Sequence, residues 1–291
     1  MDTRIGGQEE TTIAHELAAW QPGGDARATR RSLARIGSVA ALVGAVVFFA
    51  SGLFHPSESD PNNLPAAFAE YVKSADWVGV HLAQLAGVAL IAVALVALEA
   101  TFEPGRPAAW ARIGSVGTAV SAALYAANQG VDGIANHAAD HHWAAASGAA
   151  RDRAFEAAFA VRQIEVALTS VFTLLLGSTL CVFGLAMLFS RRYPAWLGAI
   201  GMLGGLATIA TGLEQASGGF SSLALNLFMV VGPVDLMWVC ATGILMWRLA
   251  PRLVGGSAPA RRRLVNESEQ QRTGSSVGDA SAGWVRKGGS P

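Results

Sequence analysis

Asp235 stands near the middle of an apolar run at residues 225 to 247. A charged side chain at the centre of a membrane-crossing helix costs about 2.5–3.5 kcal/mol on insertion scales, so this carboxyl is expected to face other helices and not lipid. Gly232 and Pro233 stand just before it. Proline lacks a backbone donor and frees the carbonyl four residues back, here that of Met229. A kinked helix beside an intramembrane acid resembles the broken-helix sites of ion-coupled transporters, which bind a ligand or ion at mid-depth. The competing role is structural: a neutral Asp235 hydrogen-bonded to a Thr, Ser or Trp of a neighbouring helix.

A second set of polar residues falls at the ends of apolar segments. His55 closes the first, His81 and Gln84 open the second, Asp132 ends the third, Glu165 opens the fourth and Glu214 ends the fifth, with His137, Asp140, His141 and His142 just beyond the third. Asp132, Glu165 and Glu214 join Asp235 as candidates for binding a ligand or ion. His55, His81, His137 and His141 are candidate metal ligands. His137 and His141 are four residues apart, so one helical turn would put both imidazoles on one face, as a zinc or copper site requires. No HExxH-type motif supports a metal, and imidazoles and carboxylates at a membrane boundary are also satisfied by water; no cofactor is predicted.

These residues need an element that can hold them in a bilayer. Apolar residues make up 52% of the chain and charged residues 14%, against roughly 25% charged in soluble domains. Segments 34–54, 78–98, 111–135, 164–189, 195–215 and 225–247 each reach the roughly 20 residues a spanning helix needs. The pattern predicts an all-α integral membrane protein, a six-helix bundle over residues 31–250. Residues 1–30 and 251–291 are predicted to be flexible cytoplasmic tails, with a transient helix over 9–20. The third span is the most polar, interrupted by Asn128, Gln129, Asp132 and Asn136. Cys181 and Cys240 lie within apolar runs, so no disulfide is predicted.

Arginine sets the orientation. Arg27, Arg30, Arg31, Arg35, Arg106, Arg112, Arg191, Arg192, Arg248, Arg252 and Arg261 to Arg263 flank one set of helix ends; the other set has Lys73, Arg151, Arg153 and Arg162. Both termini are therefore expected in the cytoplasm. ARIGSV occurs at 34–39 and again at 111–116, and RYPAWLGAIG at 192–201 echoes RPAAWARIG at 106–114. Each marks a helix leaving the arginine-rich side, which predicts three tandem helical hairpins. Gly37, Gly44, Gly198, Gly201, Gly204 and Gly205 give small-residue faces for close helix packing within the chain or between two copies.

The connections also carry signal. In 62–76, Leu64, Phe68, Tyr71 and Val72 fall about a helical turn apart, predicting a short amphipathic helix on the outer surface. Residues 137–163 read as a turn and then a helix, with Ala149 to Gln163 merging into the fourth span.

No phosphate-binding GxxxxGK[ST] loop occurs, and only His81 is clearly within a span, too few for haem held between helices. The run Arg261 to Arg263 beside the membrane suits anionic lipid better than nucleic acid. The bilayer is thus the expected partner, with a homo-oligomer a further expectation from the glycine faces. The motifs LFHP at 53–56, SADWVGVHL at 74–82 and YPAWLG at 193–198 resemble those of multi-pass membrane proteins of high-GC bacteria grouped as domains of unknown function. That resemblance implies a bacterial cytoplasmic-membrane location and carries no catalytic residues. Two functions stay open: a ligand or ion bound or passed through the bundle at Asp235, and an enzyme or metal-binding protein acting at the extracytoplasmic face.

Overall fold

The computed structural model describes residues 22–253, and the described chain is almost wholly helical. Helix α1 runs Pro22–Gly52, α2 Leu64–Lys73, α3 Trp77–Glu99 and α4 Arg106–Gly130. A π-helical segment, Val131–Asn136, joins α4 directly to α5, His137–Ala145. The 41-residue α6 spans Ala149–Phe189, followed by α7 Ala195–Gly218, α8 Ser222–Leu249 and a 3-10 turn at Ala250–Leu253. The part of the predicted tail at 22–30 is helical, because α1 already starts at Pro22, a residue suited to a first turn where its missing N–H costs nothing. The tail and transient-helix expectations for 1–21, and the tail beyond 253, lie outside the described residues.

Six long helices form a closed ring in chain order. Each of α1, α3, α4, α6, α7 and α8 packs against the next, and α8 returns to α1, while α3 and α8 barely touch across the middle. The ring is three hairpins in succession, α1/α3, α4/α6 and α7/α8. Both ARIGSV copies lie at the C-terminal end of α3. A Cβ at Gly37 would meet Ala97, and Arg112 Nε donates to Glu99 Oε1 at 3.0 Å.

Five helices are long and apolar enough to cross a membrane: those within Asp25–Gly52, Trp77–Glu99, Ala149–Phe189, Ala195–Gly218 and Ser222–Leu253. Large apolar side chains such as Val46, Leu203, Met229 and Met237 point away from the ring with more than half their surface exposed. The third predicted segment, in α4, falls short of that apolarity. Its polar residues Thr118, Ser121, Tyr125, Asn128 and Gln129 recur every three or four positions and all are buried. They form one inward stripe, so α4 carries its polarity on the face that other helices cover.

Glycines set how closely the ring closes. A Cβ at Gly205 would lie 2.5 Å from the carbonyl of Gly177, and one at Gly184 2.8 Å from that of Gly198, so α6 and α7 touch backbone to backbone. Gly44 meets Gly87 in the same way between α1 and α3. The small-residue faces named above are therefore occupied within the chain.

The two ends of the ring differ. The arginine-rich end holds a dense apolar core of Leu98, Phe102, Phe183, Met187, Leu197, Trp238 and Met246. At the opposite end, here the histidine end, α2, α5 and the first turns of α6 form a cap around Phe68, Tyr71, Trp77, Trp143 and Ala158. The apolar face of α2, expected to lie on the membrane surface, is covered by protein: Phe68 is fully buried and its ring lies 5.9 Å from Trp143 and 6.0 Å from Phe155. No turn follows residue 136; the π segment widens the helix and carries it on into α5.

Candidate functional site

The π segment aims the polar residues at the histidine end. Such segments shift the side chains that follow around the helix axis, and they concentrate at functional sites. Here Asp132 turns toward α3, where its Oδ2 lies 3.1 Å from Nε2 of His81. A Cβ on Gly133 would lie 2.6 Å from Cβ of His81, so the absent side chain lets α3 approach. Nδ1 of His81 lies 2.7 Å from the carbonyl oxygen of Trp77. That oxygen only accepts, so Nδ1 carries the hydrogen and Nε2 faces the carboxylate.

Trp77 is the hub. Fully buried, its ring packs 4.3 Å from Tyr71, 4.4 Å from His81 and 5.3 Å from His55, and lies parallel to His137 at 6.2 Å. Its indole N–H donates to the carbonyl of Asp132 at 3.2 Å. His55 reaches the group from the end of α1, its ring 5.2 Å from His81 and its Nδ1 2.8 Å from the carbonyl of Pro56. Burial holds its pKa below the usual histidine value, with His81 and Arg162 adding to the effect against the opposing Asp132 carboxylate. Burial likewise pushes the Tyr71 phenol up to about 12.

Glu165 lies on the other side of the cap. Arg162 Nη1 donates to both its carboxylate oxygens, at 2.9 and 2.7 Å, and Asn136 donates to Oε2. The arginine is also sandwiched over Phe220 at 4.7 Å and Tyr71 at 5.8 Å. Asp140 is fully buried with neither carboxylate oxygen hydrogen-bonded. Burial raises its pKa to about 7, Arg162 opposing and Asp132 adding.

His137 and His141 do share a helix face, their rings 4.5 Å apart and edge to face. Burial and then the neighbouring imidazoles lower the His137 pKa. No group of three or more His, Cys, Asp or Glu among the described residues is arranged to hold a metal ion. Glu214 stays apart from this network. It accepts from Ser221 Oγ at 2.8 Å, and Ser221 caps α8.

Asp235 lies in the wall of a cavity within the ring. This cavity of about 140 Å³ is lined by all six long helices, including Phe48, Ile91, Ser121, Phe172, Thr208 and Phe228. Asp235 is the one charged residue in that lining among the described residues. Thr208 donates to its Oδ2 at 2.6 Å, an α7-to-α8 hydrogen bond across the wall. Other lining hydroxyls, those of Thr118, Thr173 and Thr211, are spent on carbonyls of their own helices. The hydroxyl of Ser121 is buried and unpartnered.

No family model, curated protein or solved structure matches the chain.

Several members of the histidine-end network escaped attention in the sequence. Trp77 falls between the surface helix at 62–76 and the span at 78–98, Tyr71 belongs to a surface stripe, Arg162 counts as an orientation charge and Asn136 as an interruption. The signal available was that Asn136, Asp140 and Arg162 are polar within helical stretches, which becomes informative only once those stretches are known to be buried.

Proposed function

We propose that this is an integral protein of a bacterial cytoplasmic membrane, with both termini in the cytoplasm, that binds or passes a small ligand or ion through the centre of its helix ring. The observation that carries this is the cavity: six helices contribute to it, its walls are mainly apolar, and its single charged group among the described residues is the Asp235 carboxylate, which accepts from Thr208 at Oδ2. A site built this way suits a compact apolar body with one donor or cationic head, since a charge in low dielectric is stabilised chiefly by a partner charge or hydrogen bond. The volume is close to that of engineered cavities of about 150 Å³ that accept benzene.

Fluorine NMR of 4-fluorobenzylamine and 4-fluorotoluene with detergent-purified protein tests this. The amine should bind the wild type and weaken roughly tenfold in Asp235→Asn, while the toluene binds both alike. If the amine binds no better than the toluene and ignores the substitution, Asp235 is not a ligand anchor. Reporter fusions test the orientation: fusions at 55–77 and 137–163 should report the extracytoplasmic side.

A second function, an enzyme or metal-binding protein acting at the extracytoplasmic face, is favoured by one observation, the buried carboxyl of Asp140 without a hydrogen-bond partner and close enough to Asp132 to feel its charge. Its metal version places zinc or copper on His137 and His141. Metal content of purified wild type against His137→Ala decides it, equal near-zero values ending the proposal.

A further inference from the structure

The polar stripe of α4 joins the two sites just described. At the histidine end, Asp132 meets His81 at 3.1 Å. One turn further into the ring, Gln129 Nε2 donates to Gln84 Oε1 at 3.1 Å and to the Tyr125 hydroxyl at 2.6 Å. The Tyr125 ring packs 6.4 Å from Phe48 and 4.8 Å from Phe172, both of which line the central cavity. One turn below Tyr125, Ser121 lines that cavity together with Thr208 and Asp235. The stripe thus runs from the imidazole–carboxylate pair to the cavity that Asp235 also lines.

Two buried atoms on this line have no hydrogen-bond partner: Oε1 of Gln129 and Oγ of Ser121. They fall in its two intervals, between Asp132 and Tyr125 and between Tyr125 and Asp235. A buried polar atom left unpaired costs about 1–3 kcal/mol, and a bridging water removes that cost. Residues four apart on a helix have Cβ atoms about 5–6 Å apart, an interval that one water spans. A stripe kept only for packing would be served by apolar residues or by hydroxyls returned to their own helix, as Thr118 and Thr173 are.

We infer that the α4 stripe is a proton path connecting the His81–Asp132 pair to Asp235. The inference rests on Asp235 being the working group of the cavity. A proton leaves the His81–Asp132 pair, passes along the hydrogen-bonded side chains and bridging water by successive O–H and N–H exchange, and converts the Asp235 carboxylate to the acid. Water at the histidine end then returns a proton to the pair. Among the described residues, no other charged residue lines the cavity. The uncharged groups facing Asp235 are the Thr208 hydroxyl from α7 and the Cys181 thiol from α6. The ion moved with or against a ligand would accordingly be H⁺.

The test is infrared spectroscopy of the full chain in lipid bilayers, following hydrogen–deuterium exchange of the Asp235 carboxylic acid band, assigned by its loss in Asp235→Asn. Wild-type exchange should finish within the mixing time. Gln129→Leu and Tyr125→Phe, the latter keeping the ring, should each slow it roughly tenfold or more. Thr242→Val, which removes a buried unpartnered hydroxyl outside the cavity, should leave it unchanged. Exchange as fast in the Gln129 and Tyr125 variants as in wild type overturns the path. So does the absence of an Asp235 acid band over roughly pH 4 to 9. Amine binding dependent on Asp235 would survive either result, so the two proposals fail separately.

Discussion

His81 and Asp132 meet Nε2 to Oδ2 at 3.1 Å, a contact that can hold one proton between them. Nδ1 of His81 is committed to the Trp77 carbonyl at 2.7 Å and Nε2 faces Asp132 Oδ2 at 3.1 Å, so with a proton held in this contact the pair is either imidazolium and carboxylate or imidazole and carboxylic acid. Both forms keep the pair neutral overall. His81→Ala strands the carboxylate and should cost about 3–5 kcal/mol, whereas adding Asp132→Asn should recover part of that loss. Thermal unfolding of the two single variants and the double variant in detergent measures the coupling, and strictly additive losses would show that the contact contributes nothing.

The Arg162–Glu165 pair should behave similarly. Both side chains are about 95% buried, and the guanidinium holds both carboxylate oxygens. Arg162→Met leaves Glu165 with Asn136 alone and should cost about 3–5 kcal/mol. Arg162→Met with Glu165→Met removes both charges and should be markedly more stable than the single variant. Denaturant unfolding of both reads the difference.

Asp140 should make stability depend on pH. Its carboxyl titrates near the ordinary aspartate value when unfolded and at about 7 when folded, because burial disfavours the charged form. Between those values the folded state holds a proton that the unfolded state has released, so stability falls as pH rises through this window. Its contribution is full below the unfolded pKa and lost by about pH 7. Asp140→Asn should flatten this slope, and the variant should melt higher than the wild type at alkaline pH. An unchanged slope in melting temperature would remove Asp140 as its source.

Close glycine packing yields a sharp contrast. Gly205→Ala would place a methyl 2.5 Å from the Gly177 carbonyl and 2.7 Å from the Cys181 nitrogen, both backbone atoms that cannot swing aside. Overpacking of this kind costs about 1–3 kcal/mol. Gly79→Ala meets nothing within 4 Å and should be neutral or slightly stabilising through helix propensity. Unfolding in detergent should rank Gly205→Ala well below Gly79→Ala.

Residue order alone determined the helical class, five of the apolar segments and the hairpin succession, because a bilayer demands long apolar runs whatever else the helices do. It also brought out Asp235, His55, His81 and Asp132, since polar residues in or beside such runs are costly enough to stand out. Three things required the tertiary structure. The polarity of α4 looked like a weakness in the third span, and only its neighbours show Ser121, Tyr125 and Gln129 to be one covered stripe. The π segment stands as continuous helix where a turn was expected at 137, setting Asp132 against His81 and Asn136 against Glu165. Glu214, equivalent to Asp132 in its place at a helix end, binds Ser221 instead of joining the network. Spacing along one helix fixes which residues share a face, but which helix covers that face depends on packing among segments far apart in sequence.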